Sequence, residues 1–143
     1  MIAITEEYKI AKLVLRKLKY IAQFILTQEN RSETELSVLF TDNKRITELN
    51  RIYFKKDRPT DVIAFPQEDK KVLGDIVISV ETAEQQAEEL THSLADELVY
   101  LLIHGILHLL GYDDIQPSAR RKMRAKERAY LTKFYITAHP EKR

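Results

Sequence analysis

The stretch from Leu98 to Leu110 is apolar on every side of a helix, yet it carries two histidines, His104 and His108. A helix that is apolar all round must be buried on all sides, so the stretch predicts a central helix with the rest of the chain packed around it. Histidines four residues apart lie on one face of a helix, one turn apart. Gly111 predicts the end of this helix, because glycine adopts the left-handed cap conformation without steric cost.

The two histidines and the acidic turn that follows them predict a metal site. Burying two imidazoles without partners would cost about 1–3 kcal/mol each, which disfavours a pair of ordinary core histidines. We predict that His104, His108 and Asp114 hold one divalent metal ion, zinc, with room for a water. The histidine spacing resembles that of the zincins, whose glutamate between the histidines is the general base. Gly105 stands at that position, which argues against a peptidase.

Asp113 has two interpretations that the sequence does not separate. It can accept a hydrogen bond from the N–H of a ligand imidazole and so fix the tautomer of that ring. It can equally be a turn residue, because aspartate favours that backbone conformation.

Length and composition restrict the class of protein. The 143 residues fit one domain, which we expect to span residues 1–143, and 44% hydrophobic residues can build a full core. The absence of cysteine excludes disulfides and thiolate metal sites. We find no signal peptide, and the longest apolar run is too short to span a bilayer, so we expect a cytoplasmic protein with no membrane partner.

Hydrophobic periodicity predicts a mixture of strands and helices. We predict strands at Met1–Ile4, Glu35–Thr41, Asp61–Phe65 and Gly74–Val80. We predict helices at Thr5–Thr27, from a cap at Asp42 through Tyr53, from Ser79 or Glu81 through Leu90, and from a cap at Ser93 to Leu110. The last predicted helix has Pro117 in its first turn and includes Ala119–Lys133. Thr5 is predicted as an N-cap, Pro66 as the end of its strand, and Gly74–Val80 as a central strand. His92 and His139 lie in polar surroundings and are predicted to be surface residues.

Four segments together resemble the YbeY family, bacterial endoribonucleases of ribosomal RNA maturation and ribosome quality control. The segments are Leu49–Tyr53, Pro59–Pro66, Leu73–Ser79 and His104–Asp114, within a resemblance that runs from about Glu35 to Tyr130. The resemblance implies a single α+β domain with a small mixed β-sheet and helices packed against it. It also implies a metal site in a cleft, which here falls on the buried helix and its C-terminal turn.

Two positions depart from the family pattern. Asp114 stands where the family usually has a third histidine ligand, although a carboxylate can also bind zinc. Phe54 stands where the family usually has an arginine that lines the cleft. The resemblance implies a single-strand-type, metal-dependent endoribonuclease that processes the 3′ end of 16S ribosomal RNA. The departures favour the alternative, a non-catalytic ribosome-associated RNA-binding factor with a structural metal.

Further site residues are expected around the metal. Asp61 and Asp75 begin strands within the matching segments and are candidate catalytic residues, or else strand-end caps. The candidate RNA-binding residues are basic, and they are expected to form a positive rim that contacts phosphates unless they simply face water. These residues are Lys55, Lys56, Arg58, Arg120, Arg121 and Arg124. The expected partners are ribosomal RNA or its precursors and the small ribosomal subunit.

Overall fold

The computed structural model describes residues 1–143 and contains four strands and five α-helices. In chain order the elements are β1 (Ile2–Glu6), α1 (Lys12–Gln28), β2 (Glu35–Thr41), α2 (Asn43–Phe54), β3 (Val62–Asp69), β4 (Val72–Ser79), α3 (Val80–Leu90), α4 (Leu94–Leu109), α5 (Pro117–Lys133) and a final 3-10 turn (Pro140–Lys142). The strands form one sheet in the order β1-β2-β4-β3. The β1–β2 and β2–β4 pairs are parallel, and β3 runs antiparallel to β4. The predicted α+β class with a small mixed sheet is confirmed.

The larger part of the core lies between one face of the sheet and helices α1 and α4. Val38 and Phe40 of β2 and Ile76 and Ile78 of β4 are buried there, because alternate residues of a strand point to one face. Helix α1 contributes its predicted apolar stripe, whose buried members include Leu18, Ile21 and Ile25. The sheet therefore provides a flat support for α4.

The other face of the sheet carries helix α2 and a smaller core. Ile46 of α2 packs with Ile63 of β3 and Val77 of β4. Asp42 caps the helix by accepting a hydrogen bond from the backbone N–H of Arg45. Strand β4 lies between β2 and β3, as predicted for a nearly all-apolar strand, and β3 is left at the edge.

Helix α4 is enclosed as its sequence predicts, except at its two histidines. Between Glu97 and Leu109 every residue is buried apart from His104 and His108, which are partly exposed. Gly111 follows the helix with a φ of +100°, and the helix ends in a Schellman motif. In that motif the N–H of Gly111 donates to the carbonyl of His108, and the N–H of Tyr112 to that of Leu107. No helix of the protein has the length and apolar character needed to cross a membrane.

Three local predictions are wrong, each because tertiary contacts outweigh a local signal. Thr5 does not cap a helix: residues 2–6 pair with β2, and α1 begins only at Lys12. Pro66 does not end its strand, because β3 is an edge strand and tolerates a residue without an N–H. His92 is not on the surface: its side chain is 2% exposed, and its Nε2 lies 2.6 Å from Oε1 of buried Glu97.

Candidate metal centre and cleft

His104, His108 and Asp114 converge at the end of helix α4 with their ligand atoms within 4.8 Å of one another. The Nε2 atoms of the two histidines are 3.1 Å apart. Oδ2 of Asp114 lies 3.8 Å from Nε2 of His104 and 3.6 Å from Nε2 of His108. The helical spacing brings the imidazoles together, and the Gly111 turn returns the chain so that the carboxylate faces them.

These distances fit a tetrahedral metal ion. Ligands bound at about 2.0–2.2 Å in tetrahedral geometry lie about 3.3–3.6 Å apart, close to the three observed separations. The side-chain chemistry also fits, since two imidazole nitrogens and a carboxylate suit zinc and other first-row divalent metals. The group His104, His108 and Asp114 could therefore hold a divalent ion.

Glu127 of α5 orients the first of these histidines. Its Oε2 lies 2.6 Å from Nδ1 of His104, and its Oε1 accepts a hydrogen bond of 2.7 Å from Arg124. Burial alone would raise the pKa of Glu127, but the hydrogen bonds from His104 and Arg124 hold the pKa below its usual value. The ionised carboxylate can only accept, so the proton of His104 is held on Nδ1 and the lone pair of Nε2 faces the metal group.

His108 and Asp114 are held differently from His104. Burial, and then the nearby His104 ring, lower the pKa of His108, which favours the neutral imidazole that binds metals. Asp114 lies in the turn after α4 and has a 35% exposed side chain. Its neighbour Asp113 accepts a hydrogen bond of 3.0 Å from the N–H of Ile115, which is a turn interaction and not one with an imidazole.

A cavity of about 390 Å³ opens beside the two histidines and wraps the free edge of β3. Thr60 and Asp61 line one wall, and Phe54 at the end of α2 lines another. Asp61 accepts hydrogen bonds from the N–H of Val62 at 2.7 Å and from Nε2 of Gln86 at 3.2 Å. Asp61, a candidate catalytic residue, thus lines the same cavity as the histidines, with its carboxylate held by hydrogen bonds just before the start of β3.

Asp75, the other candidate catalytic residue, is not brought to the metal group. It lies on β4 between Gly74 and Ile76, so its side chain points to the sheet face away from α4. There it accepts a hydrogen bond from Gln67 and lines a separate cavity beside Tyr53 and Leu39.

The predicted basic residues fall into two groups. Lys55, Lys56 and Arg58 are exposed in the loop after α2, and the buried amide of Asn50 donates to the carbonyl of Arg58 and fixes that loop beside the cavity. Arg120 and Arg121 are exposed on α5 and line a further groove with Arg124 and Arg128. Arg124 differs from the others, because its side chain is only 15% exposed and bonds to Glu127 and Tyr100.

Gly105 explains how α4 approaches the sheet so closely. A Cβ atom at this position would lie 3.1 Å from two carbon atoms of Ile76, tighter than ordinary van der Waals contact. The position that carries the general base in zincins therefore faces the sheet, with Ile76 against it.

Several residues of this site could not be predicted from the sequence pattern. In the sequence Glu127 is simply the single acid of a basic helix, and Tyr100 and Gln86 carry no signal beyond helix periodicity. Two of the three partners of Glu127, Tyr100 and His104, lie 27 and 23 residues away in the chain. The one available hint is that this lone acid lies three residues after Arg124, the spacing of a helical ion pair.

The fold and the site define a class of protein: a small α+β domain in which two histidines and one carboxylate that could hold a metal ion lie beside a cleft. Residues 2–135 match the family described as Endoribonuclease YbeY, and the chain belongs to that family. It is 46% identical to the endoribonuclease YbeY of Aquifex aeolicus over 82% of each chain. It is 42% identical to that of Oceanobacillus iheyensis over 94% of this chain and 92% of the relative.

A solved structure has the same fold. The solution structure of TM1509 from Thermotoga maritima superposes with a TM-score of 0.68, covering all of this chain and 96% of the other at 29% sequence identity. The predicted family is confirmed by the sequence matches, and the predicted fold class agrees with this solved structure.

Proposed function

We propose that this protein is a metal-dependent endoribonuclease that processes ribosomal RNA. The endoribonuclease name carried by its relatives supports the activity, and the cleft supplies a place for the chemistry. When bound, a divalent ion supplies Lewis acidity to a phosphodiester. The chain itself contributes three ligands, an oriented His104 and the carboxylate of Asp61 in the same cavity.

One observation carries this proposal. In the buried stretch Glu97–Leu109 the only partly exposed side chains are His104 and His108, and both line the cavity. Structural zinc sites are closed by four protein ligands, whereas catalytic sites keep an open position. Three converging protein ligands beside a cavity favour a catalytic metal over a structural one.

The finer parts of the proposal concern the metal, the substrate and the setting. We propose zinc as the ion, because two imidazoles and a carboxylate match known zinc sites. We propose the 3′ end of precursor 16S ribosomal RNA as the substrate and the small ribosomal subunit in the cytoplasm as the partner. Exposed Lys55, Lys56, Arg58, Arg120 and Arg121 would contact the phosphates of that RNA.

The test joins metal content to RNA cleavage. Wild type, His108→Asn and the matched control His139→Asn are purified, and bound metal is measured by mass spectrometry. Each is then incubated with an RNA that spans the 3′ end of precursor 16S ribosomal RNA. We expect about one ion per chain and cleavage in wild type and control, with both lost in His108→Asn. Cleavage that persists in His108→Asn without metal would contradict the proposal.

The alternative is a non-catalytic RNA-binding factor with a structural metal, and it is favoured by Phe54 at the cleft wall in place of a cation. The same experiment separates the two functions. Stoichiometric metal and RNA binding without cleavage in wild type would support the binding factor.

A further inference from the structure

Three aromatic side chains form an exposed cluster at the end of helix α2. The ring of Phe54 stacks on that of Phe65 with centroids 6.0 Å apart and an angle of 28° between the planes. Tyr53 meets Phe65 edge-on at 5.1 Å. Phe54 remains 47% exposed and Tyr53 62% exposed, so the small core below this helix does not account for them.

This aromatic cluster borders the metal cleft. Phe54 lines the same cavity as His104 and His108, whereas Tyr53 lies outside that cavity, beyond Phe65. An aromatic ring with an open face at the wall of a reactive cleft can hold a flat apolar group of a substrate. Exposed contiguous aromatic surface of this kind marks a binding site more often than a chance feature.

Positive charge accompanies the aromatic surface. Lys55, Lys56 and Arg58 lie in the four residues after Phe54, all three are exposed, and none forms an ion pair, because the intervening Asp57 pairs with Arg51 instead. The hydrogen bond from Asn50 to the carbonyl of Arg58 holds this loop near the cleft. Aromatic faces beside free cations match a nucleic-acid strand, whose bases stack on the rings while its phosphates meet the cations.

We propose that Phe54, supported from behind by Phe65, is the platform on which one nucleobase of the RNA stacks while the strand enters the metal cleft. The inference rests on the proposed function and names a residue that positions the RNA in the cleft. A base can reach the ring only if it is unpaired, so the nucleotide that stacks on Phe54 is an unpaired one beside the cleavage point. Binding of a protein partner to the same aromatic surface would not explain why that surface borders the cavity of His104 and His108.

The test is a thermodynamic cycle between the ring and one base. Affinities are measured by fluorescence anisotropy for single-stranded RNAs of about twelve nucleotides, in which one base at a time is replaced by an abasic site. The proteins are wild type, Phe54→Leu, Phe54→Tyr and the control Tyr135→Leu, which removes a 94% exposed ring that does not line the cavity. Leucine keeps the apolar bulk but not the aromatic face, and tyrosine keeps both.

We expect Phe54→Leu to weaken RNA binding by at least about five-fold, the lower end of what one stacked base contributes. Phe54→Tyr and Tyr135→Leu should bind as wild type does. One abasic position in the RNA should weaken binding to wild type by the same factor as the Phe54→Leu substitution does. The same abasic RNA should bind Phe54→Leu no more weakly than the intact RNA does.

Other outcomes would overturn the inference. Equal affinities for all four proteins, with wild type still cleaving RNA, would reject the stacking platform and leave the nuclease intact. Wild type that neither binds nor cleaves RNA would reject both. A Phe54→Leu variant that changes its sedimentation but not its RNA affinity would assign the surface to a second copy of the chain instead.

Discussion

Glu127 accepts a hydrogen bond from Nδ1 of His104 across 2.6 Å, although the two residues lie on different helices. The same carboxylate accepts from Arg124 and from the hydroxyl of Tyr100, so both of its oxygens are bonded inside the protein. Glu127 is the one acid of α5, and it is fully buried on the inner face of that helix, whose outer face is basic. Helix α5 therefore both orients His104, a candidate metal ligand, and carries a candidate RNA-binding surface.

Replacing Glu127 by glutamine tests this orienting role. The amide can no longer act as an ionic acceptor for both Nδ1 of His104 and the Arg124 guanidinium. We expect metal affinity to fall by about ten-fold to 100-fold, the usual effect of removing such a partner from a ligand imidazole. Competition with a chromophoric chelator measures the affinity. Exposed Glu88→Gln is the matched control, and an unchanged affinity in Glu127→Gln would refute the role.

The adjacent aspartates of the exit turn give a second prediction. Oδ2 of Asp114 faces the two imidazoles, whereas Asp113 binds only the N–H of Ile115. Asp114→Asn should lose metal, because a neutral amide is a far weaker ligand than a carboxylate. Asp113→Asn should keep metal, since an amide oxygen also accepts the turn hydrogen bond. Equal metal loss in both variants would show that the turn, not the ligand, was disturbed.

The exposed arginines of α5 give a third prediction. The double variant Arg120→Glu/Arg121→Glu should weaken RNA binding for all sequences alike, because phosphate contacts carry no sequence information. The slope of log affinity against log salt should become shallower by about 0.7 for each phosphate of a single strand that the variant no longer neutralises. Arg16→Glu/Lys17→Glu on α1 makes the same change of charge on an exposed surface outside the cleft. If both double variants alter binding equally, net charge alone is responsible.

A fourth prediction concerns stability against pH. Burial alone would raise the pKa of Glu97, but hydrogen bonds from Arg143, His92 and Gln86 lower it below the ordinary 4.5. A carboxyl with a lowered pKa in the folded state stabilises the protein above its ordinary pKa and loses that effect as pH falls through the folded-state value. The contribution of Glu97 is therefore present at neutral pH and lost below about pH 4.5.

Glu97→Gln should accordingly lower the free energy of unfolding by about 1–3 kcal/mol at pH 7, because Arg143 keeps its burial but loses its charged partner. The difference from wild type should shrink as pH falls below 4.5. Urea unfolding at several pH values measures both effects, with exposed Glu88→Gln as the control. A difference that is constant across this pH range would exclude ionisation of Glu97 as its source.

The sequence was most informative where local and global signals agreed. Three signals agree on helix α4: its apolar run, the cap at Ser93 and the glycine at position 111. The structure contains this helix, and the Ser93 side chain caps it. The position of Asp75, by contrast, follows from the alternation of side chains along its strand and not from the motif in which it lies. Its place within a matching segment suggested the cleft, but a period of two residues puts it on the opposite face of the sheet from α4.

Other features depended on contacts between distant segments and carried no local signal. His92 is surrounded by polar residues in sequence, yet it is buried because Glu97 and the ring of His139 meet it in space. The role of Glu127 was likewise hidden, since a lone acid in a basic helix usually faces water. Pairing of β1 with β2 extended a strand into residues whose own pattern favoured a helix.

The tight contact between Gly105 and Ile76 limits how this fold can diverge. A glutamate introduced between the two histidines would complete the zincin motif, but its Cβ would lie 3.1 Å from two carbon atoms of Ile76, and that side chain would have to shift by a few tenths of an ångström. A residue larger than glycine at position 105 and the packing of Ile76 in the sheet are therefore coupled. A smaller residue at position 76 would relieve the contact, so a side chain between the two histidines is accommodated best together with a change in the sheet.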